Sequence, residues 1–276
     1  MRSRMLQLQT LDFTVEDGIG WIRLNRPKKR NPFDSELRED LIQVLDRVRA
    51  DLGIRVVVLA GTPGAFCAGG SLQFIQEQLD AGPAYWQQRL QSGLRLINDL
   101  LHLTRPLIAV VDGPAFGAGF TLALTADIVL ASPQARFAMS YLKLGVVPDL
   151  GPTYLLPRMV GLQRAKELIF SARELDAEEA RAMGLVMEVH ASDDIEARAR
   201  DIALRLTHAS PTALGLTKAA LNASLDSDQH TMFTLEANSQ GAAFAAPEPR
   251  LAVAAMLAKR PPPYTGFGPA PEAGAR

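Results

Sequence analysis

The feature that most constrains the fold is an abrupt change of pattern near the middle of the chain. Residues Leu107–Val111 form a continuous apolar run typical of a buried strand, and the Asp-Gly-Pro sequence at 112–114 ends it. A Gly-Ala-Gly step at 117–119 then leads into a helical pattern of small and apolar residues. The free N–H groups at such a helix start point towards whatever lies in front of them, and small residues let a ligand approach the backbone. A turn that is packed tightly for steric reasons alone explains the same residues.

A second bend of this kind lies upstream. Residues 55–61 form another apolar run, and the mostly small residues of 62–72 follow it. We call residues 61–72 the first elbow and residues 111–121 the second elbow. Two strand–turn–helix bends, each with an unencumbered N–H group, are what is needed to hold one developing oxyanion between two donors. The pair therefore favours a catalytic site over simple packing.

Four segments carry a resemblance to a known family: 65–72 (AFCAGGSL), 112–119 (DGPAFGAG), 144–149 (LGVVPD) and 156–161 (LPRMVG). In this order they resemble the crotonase, or enoyl-CoA hydratase/isomerase, superfamily, and the likeness covers nearly the whole chain. The resemblance implies strand–strand–helix units that wind into a spiral, and an acyl-CoA thioester as the substrate. It also implies a C-terminal helical region that forms trimers, commonly paired into hexamers.

Strand and helix patterns alternate along the first part of the chain, beginning with a hairpin around Asp17 and Gly18. This alternation predicts an α/β fold whose sheet is covered by helices on both faces. Beyond residue 192 the pattern is purely helical. With the resemblance, we expect a crotonase-like spiral core with the acyl-CoA site in residues 1–191, a helical trimerisation region in 192–260 and a loose Gly/Pro/Ala-rich tail in 261–276.

Composition argues against several classes of function. The net charge of −1 over 276 residues provides no field for nucleic acid or an anionic membrane. The single cysteine, Cys67, excludes an internal disulfide and favours a reducing compartment, and no apolar run approaches the roughly 18 residues of a membrane span. The four histidines show no metal-ligand spacing. We therefore expect a cytoplasmic protein without a metal or a separate cofactor, in which coenzyme A enters only as part of the substrate.

The resemblance places two oxyanion donors on the backbone N–H groups of Gly70, in the first elbow, and Ala118, in the second. Both would bond the thioester carbonyl oxygen, and would bond it more strongly as it becomes an enolate oxygen. Small residues suit this role because a larger side chain would intrude on the thioester. The further positions that the resemblance implies in contact with the substrate or coenzyme A are Ala65, Phe66, Ala68, Ser71, Leu72, Gly117, Thr121 and Tyr141.

A basic, proline-punctuated loop spans residues 25–32. Such a run of charge is usually only a solvated loop. In crotonase-like enzymes the corresponding loop lies by the adenosine phosphates of coenzyme A, so the resemblance makes Lys28 and Arg30 candidate contacts. Residues 73–84 are expected to form part of the acyl pocket.

The acid–base groups are less obvious. Hydratases of this family carry two glutamates, and the resemblance places those positions at Thr121 and Tyr141 of this chain. A threonine hydroxyl is no general base at neutral pH, and a tyrosine with a pKa of about 10 is a poor one. The next carboxylate, Asp149, matches the catalytic aspartate of a branch that includes epoxyphenylacetyl-CoA isomerases and a dehalogenating relative.

Two interpretations of Asp149 remain open. It can cap a helix that begins near Pro152. Alternatively, it can take a proton from one carbon of an enolate system and return it to another, since a single carboxylate suffices for a 1,3-proton shift. We expect burial beside Leu144 and Val146 to raise the pKa of this carboxyl towards a useful value.

Three functions follow from these alternatives. The first is an isomerase that stabilises a thioester enolate and moves a proton through Asp149, acting on an enoyl double bond or a ring epoxide. The second is an enoyl-CoA hydratase, a lyase, in which another group replaces the glutamates. The third is a catalytically silent acyl-CoA binder. The missing glutamates disfavour the hydratase, and Asp149 favours the isomerase over the silent binder. The resemblance implies a homotrimer or a dimer of trimers in each case.

Overall fold

The computed structural model describes residues 6–264, so most of the tail predicted at 261–276 lies outside the described residues. The strands are β1 (Leu11–Glu16), β2 (Ile19–Leu24), β3 (Val56–Ala60), β4 (Leu107–Val111), β5 (Pro114–Phe116), β6 (Ile128–Ala131), β7 (Arg136–Ala138), β8 (Leu175–Asp176) and β9 (Glu188–Val189). The helices are α1 (Ser35–Ala50), α2 (Leu72–Glu77), α3 (Gly82–Leu101), α4 (Ala118–Leu124), α5 (Pro152–Val160), α6 (Leu162–Ser171), α7 (Ala177–Ala182), α8 (Ile195–Thr207), α9 (Pro211–Ala223), α10 (Gln229–Ala245) and α11 (Glu248–Leu257).

The larger sheet has the strand order β1-β2-β3-β4-β6-β9. Its first two strands form the predicted hairpin, with Glu16 opposite Ile19. Asp17 and Gly18 both have positive φ, at 50° and 77°, which suits a two-residue turn whose twist matches the flanking strands. From β2 to β9 the neighbouring strands run parallel, so each needs a crossover connection, as an α/β fold provides.

Helices cover both faces of this sheet, as predicted. Strands β3 and β4 are buried at every position, and their side chains alternate between two apolar clusters. Val57, Leu59 and Ala109 face the cluster that includes the apolar side of α1 and α3. Val58 and Ile108 face the other cluster, which α8 closes. Continuous apolar strands are expected where both faces of a parallel sheet are packed.

A second, three-stranded sheet has the order β5-β7-β8. The sequence analysis missed it because its strands are only two or three residues long. β4 pairs with β6 in the larger sheet, and β5, which directly follows β4, pairs with β7 in the smaller one. This repeat of two strands divided between two sheets, with α4 following β5, is the expected spiral of strand–strand–helix units.

The chain beyond residue 192 is helical, from α8 to α11. α8 packs on the larger sheet, whereas α9 and α10 bury no residue completely and α11 buries only Ala255. Large apolar side chains are exposed along these last three helices, including Leu221, Phe233, Phe244, Leu251, Met256 and Leu257. The domain division at 191/192 stays a prediction. Within residues 6–264, no helix is long and apolar enough to cross a membrane.

Candidate active site

The first elbow is a backbone path that only small residues permit. A Cβ atom on Gly61 would overlap the carbonyl oxygen of Ala65, because the chain folds back on itself after β3. Gly69 has φ +89°, and a Cβ atom there would lie 2.6 Å from the carbonyl oxygen of Phe116 in the second elbow. Ser71 then starts α2 by accepting a hydrogen bond from the N–H of Phe74 at 3.2 Å. The first elbow therefore ends in a capped helix, and its Gly69 packs against the second elbow.

The two elbows are joined by backbone hydrogen bonds. The Cys67 N–H donates to the Pro114 carbonyl, and the Phe116 N–H donates to the Cys67 carbonyl, each at 3.0 Å. Gly119 packs so closely on this connection that a Cβ atom would overlap the Cys67 carbonyl oxygen. The Gly64 N–H also donates to the Asp112 carboxylate at 3.0 Å. These bonds fix the relative position of the two bends, although the bends are far apart in sequence.

The predicted donors lie where the elbows meet. Ala118 is the first residue of α4, and its N-cap, Gly117, has a φ of 50° and supplies no side-chain cap. A Cβ atom on Gly69 would lie 3.7 Å from the Ala118 nitrogen, which places the chain just before Gly70 beside that nitrogen. Within residues 6–264 neither the Gly70 nor the Ala118 N–H donates to a protein acceptor. Two such free donors in one place can stabilise an oxyanion.

The basic loop lies against the first elbow. The Arg30 carbonyl accepts from the Ala68 N–H at 3.0 Å, and the Phe33 N–H donates to the Gly69 carbonyl at 2.8 Å. Lys28 and Arg30 are exposed. The loop thus holds two cationic side chains close to the elbow, where they are available to an anionic ligand.

Asn31 attaches the basic loop to the first elbow through side-chain hydrogen bonds. The sequence analysis did not identify this residue. Its amide nitrogen donates to the carbonyls of Ala65 and Phe66 at 2.8 and 3.0 Å, and its amide oxygen accepts from the Arg26 N–H at 2.7 Å. The residue is 1% exposed and has a φ of 50°, in the left-handed region that asparagine tolerates. The Asn-Pro pair at 31–32, typical of turns, is the signal that could have directed attention to it.

The other elbow positions differ in what they can offer a ligand. The Phe66 ring and the Cys67 side chain are fully buried in the core, so only the backbone of Phe66 is available. Burial raises the pKa of the Cys67 thiol to about 12, which makes it a poor nucleophile at neutral pH. Ala65 and Ala68 lie within the first elbow and have small side chains. Leu72 is exposed at the start of α2.

Thr121 and Tyr141, which stand where hydratases carry glutamates, lie together. Thr121 is completely buried, and its hydroxyl donates weakly to the Gly117 carbonyl at 3.4 Å. The Tyr141 hydroxyl donates to the Asp149 backbone carbonyl at 3.1 Å. Burial and the nearby Asp149 charge hold the pKa of Tyr141 well above its usual value. Both side chains therefore act as neutral hydroxyl groups beside the second elbow and Asp149.

Asp149 is a partly buried carboxyl group whose pKa is raised. Burial is the main cause, and it is partly offset by the Tyr141 hydroxyl and the positive charge of Arg89. The N-cap interpretation is wrong, because Gly151 occupies the N-cap of α5 and no side chain caps that helix. The carboxyl group is therefore not engaged in starting a helix.

The expected cause of that burial needs correction. Leu144 and Val146 are themselves 51% and 47% exposed, so they do not enclose the carboxyl group. Two buried residues flank it instead: Leu150, which packs on α3, and Tyr141, whose hydroxyl donates a hydrogen bond to the Asp149 backbone carbonyl. The apolar residues at 144–147 gave the wrong cause for the burial of Asp149, because they lie in a turn that faces outwards and not in a packed element.

The matches to known proteins agree with this geometry. Residues 14–267 match the family model for enoyl-CoA hydratase/isomerase. The chain belongs to the enoyl-CoA hydratase/isomerase family. This enzyme therefore shares the family's substrate class, acyl-CoA thioesters. Among residues 6–264 there is no group of three or more metal-ligating side chains of the His, Cys, Asp or Glu type.

Individual relatives match this family member over more than nine-tenths of its length. It is 37% identical over 257 residues to the 1,2-epoxyphenylacetyl-CoA isomerase of Escherichia coli K12. This match covers 91% of this chain and 97% of that protein. It is 34% identical to a probable enoyl-CoA hydratase of Rhodobacter capsulatus, with coverage of 95% and 100%. The crystal structure of an enoyl-CoA hydratase/isomerase from Cupriavidus metallidurans CH34 superposes with a TM-score of 0.92 at 64% identity, over 97% of this chain and 100% of that one. These matches confirm the predicted fold, and both isomerase and hydratase names occur among them.

Proposed function

We propose that this enzyme is an acyl-CoA isomerase that moves a proton through Asp149. The observation that carries the proposal is the composition of the site: one partly buried carboxyl group of raised pKa, beside two free backbone donors, with hydroxyl groups at the two glutamate positions. A raised pKa suits a group that must both accept and return a proton near neutral pH. The likeness to an isomerase over 91% of the chain supports the same assignment.

The proposed reaction has two proton transfers. The thioester carbonyl oxygen lies between the N–H groups of Gly70 and Ala118. The Asp149 carboxylate takes a proton from one carbon of the acyl chain, and the electron pair of that C–H bond is delocalised onto the carbonyl oxygen as an enolate. The two N–H groups then bond the oxyanion more strongly than the ground-state carbonyl. The protonated Asp149 returns the proton to a second carbon, so no water is added or removed.

Coenzyme A recognition is assigned to the loop and the first elbow. Lys28 and Arg30 would contact the adenosine phosphates, and the backbone around Ala65, Phe66 and Ala68 would contact the rest of coenzyme A. The remaining predicted contacts, Ser71, Leu72, Gly117, Thr121 and Tyr141, surround the thioester and the first part of the acyl chain. Coenzyme A is in this account part of the substrate, with no separate cofactor.

The exposed apolar side chains of α9 to α11 support a homotrimer or a dimer of trimers as the assembly. Apolar surface of this extent is typical of a subunit interface. The cytoplasmic location expected from the sequence stays a prediction.

The experiment that tests the function uses matched substrates and one variant. A 3-enoyl-CoA and a 2-enoyl-CoA are mixed separately with the protein, and the absorbance of the conjugated thioester is followed. An isomerase produces absorbance from the 3-enoyl ester, a hydratase removes it from the 2-enoyl ester, and a silent binder does neither. Asp149→Asn should abolish isomerisation while leaving the Kd for the ester within severalfold, whereas Asp193→Asn, an exposed carboxylate, serves as the control. Wild-type turnover by Asp149→Asn would show that another group is the base.

A further inference from the structure

Arg89 is a half-buried arginine whose guanidinium has no hydrogen-bonding partner among residues 6–264. It lies on α3, and its guanidinium carbon stacks over the Phe74 ring at 4.1 Å from the ring centre. Within residues 6–264 the guanidinium makes no ion pair and donates no hydrogen bond. A guanidinium carries five N–H donors in a planar fork, and stacking on a ring leaves those donors at its edges free.

The register of α3 places Arg89 beside Asp149. A Cβ atom on Gly93 would lie 2.5 Å from the Leu150 side chain, and Ile97 is the nearest neighbour of a Cβ atom on Gly151, at 3.8 Å. Gly93 and Ile97 therefore define the side of α3 that follows the chain from residue 150 to 151. Arg89 lies four residues before Gly93, so it projects from the same side one turn earlier.

Phe74 fixes the other end of this arrangement. It belongs to α2, which begins directly after Gly70 and Ser71, and its ring holds the Arg89 guanidinium towards the first elbow. The guanidinium is thus held at α2, the helix that follows Gly70, on the side of α3 that follows the chain after the proposed base. An acyl chain that leaves a thioester at Gly70 and extends past Asp149 can bring its far end to this position.

The carboxylates whose charges affect Arg89 form no ion pair with it in the described part of the chain. Burial is the main cause that lowers the pKa of Arg89, and Arg38 adds to it, against the opposing effects of Tyr85, Asp34 and Asp149. Asp34 is already bound by both terminal nitrogens of Arg26, at 2.7 and 2.8 Å. Asp149 makes no ion pair with Arg89 and is assigned to proton transfer. Within the residues that the structure describes, no group therefore neutralises the guanidinium by an ion pair.

We propose that Arg89 is a specificity-determining residue that binds a carboxylate at the far end of the acyl chain. This inference rests on the proposed function, since it takes the acyl chain to run from the first elbow to Asp149. The planar fork of arginine matches a carboxylate in two parallel hydrogen bonds, and such charge-assisted bonds are the strong ones. The substrate class is then a dicarboxylic acid joined to coenzyme A at one end and ionised at the other.

The test compares the binding of saturated thioesters, which cannot be isomerised. Glutaryl-, adipoyl- and pimeloyl-CoA are each paired with the monocarboxylic ester of equal carbon number, and Kd values are measured by calorimetry. We expect the wild type to bind the dicarboxylic ester at least about tenfold more tightly at the length that fits. Arg89→Met and Arg89→Gln should each abolish this preference while keeping the Kd for the monocarboxylic ester within about twofold, which shows that the site is intact.

Arg95→Met is the matched control, because it removes the same charge from an exposed position of the same helix. It should keep the preference. Equal binding of both esters by the wild type at every length, or a preference that survives in either folded Arg89 variant, would overturn the proposal. Because no turnover is needed, this outcome is separate from failure of the proposed function, which would appear as isomerisation by Asp149→Asn.

Discussion

Leu150 lies directly over Gly93, so closely that a Cβ atom on that glycine would come within 2.5 Å of the leucine side chain. Leu150 has a φ of 64°, a left-handed conformation that is costly for a bulky residue. It directly follows Asp149. The glycine on α3 therefore makes room for a strained residue that sets where the proposed base lies.

Gly93→Ala should reduce kcat for isomerisation severalfold. The added methyl group displaces Leu150 and with it Asp149. The free energy of unfolding should change little, within about 1 kcal/mol, because the gain in helix propensity from Gly to Ala offsets part of the overpacking. Steady-state kinetics and urea denaturation measure the two effects.

Gly241→Ala provides the matched control in α10, where a Cβ atom would meet nothing within 4 Å. It should leave kcat unchanged and should not lower stability. Unchanged kcat in Gly93→Ala would show that the position of Asp149 does not depend on Leu150.

Asn31→Ala should destabilise the protein by about 2–4 kcal/mol. The substitution removes three hydrogen bonds, of which the two to the Ala65 and Phe66 carbonyls are buried. Because the first elbow loses its support, the KM for acyl-CoA should also rise. Asn222→Ala removes one exposed side-chain hydrogen bond, to the Leu101 carbonyl, and should cost less than about 1 kcal/mol. Equal losses in the two variants would contradict a special role for Asn31.

The pH dependence of the enzyme should follow Asp149. Its carboxylate is the active form, so kcat/KM should fall as pH falls through the raised pKa of this group, at a higher pH than an ordinary aspartate of about 3.9 would give. A pH–rate profile measures this limb. An acidic limb at the ordinary aspartate value would contradict the burial of Asp149.

Ionisation of Asp149, which should raise the activity, should lower the stability of the fold. A raised pKa in the folded state means that the folded protein binds this proton more tightly than the unfolded chain, so stability is lost as pH rises through the folded pKa. Asp149→Asn cannot ionise, and its free energy of unfolding should therefore exceed that of the wild type at pH 7. The difference should shrink as pH falls below the pKa of an unfolded aspartate. A less stable variant at pH 7 would contradict this assignment.

The parts of the fold that were predictable are those encoded locally. The Asp17-Gly18 turn and the continuous apolar strands each follow from neighbouring residues. Strands β7 and β8 are too short to show a period, and they are defined by tertiary pairing, of β7 with β5 and of β8 with β7. The small sheet was therefore beyond sequence reasoning.

The residues of the candidate site also divide into those that local sequence indicates and those that only tertiary packing reveals. The pattern of the elbows indicated where the backbones approach, and the resemblance assigned the donors to Gly70 and Ala118, which stays a prediction. Arg89 was missed, since its relation to Asp149 depends on the packing of α3 along the chain at 150–151, which no local pattern reports. The burial of Asp149 was predicted correctly, but from the wrong neighbours, because exposure of the turn at 144–147 is a tertiary property.

The most direct test of the account is the vibrational frequency of the thioester carbonyl in the bound state. An infrared difference spectrum with a carbonyl-labelled enoyl-CoA should show the stretch at lower frequency on the wild-type enzyme than in water, because the N–H groups of Gly70 and Ala118 polarise the bond. Ala118→Pro removes one donor at the first position of α4, where proline is tolerated. It should return the frequency towards the solution value and lower kcat by about a hundredfold or more. A carbonyl that absorbs at its solution frequency on the wild-type enzyme would contradict the account.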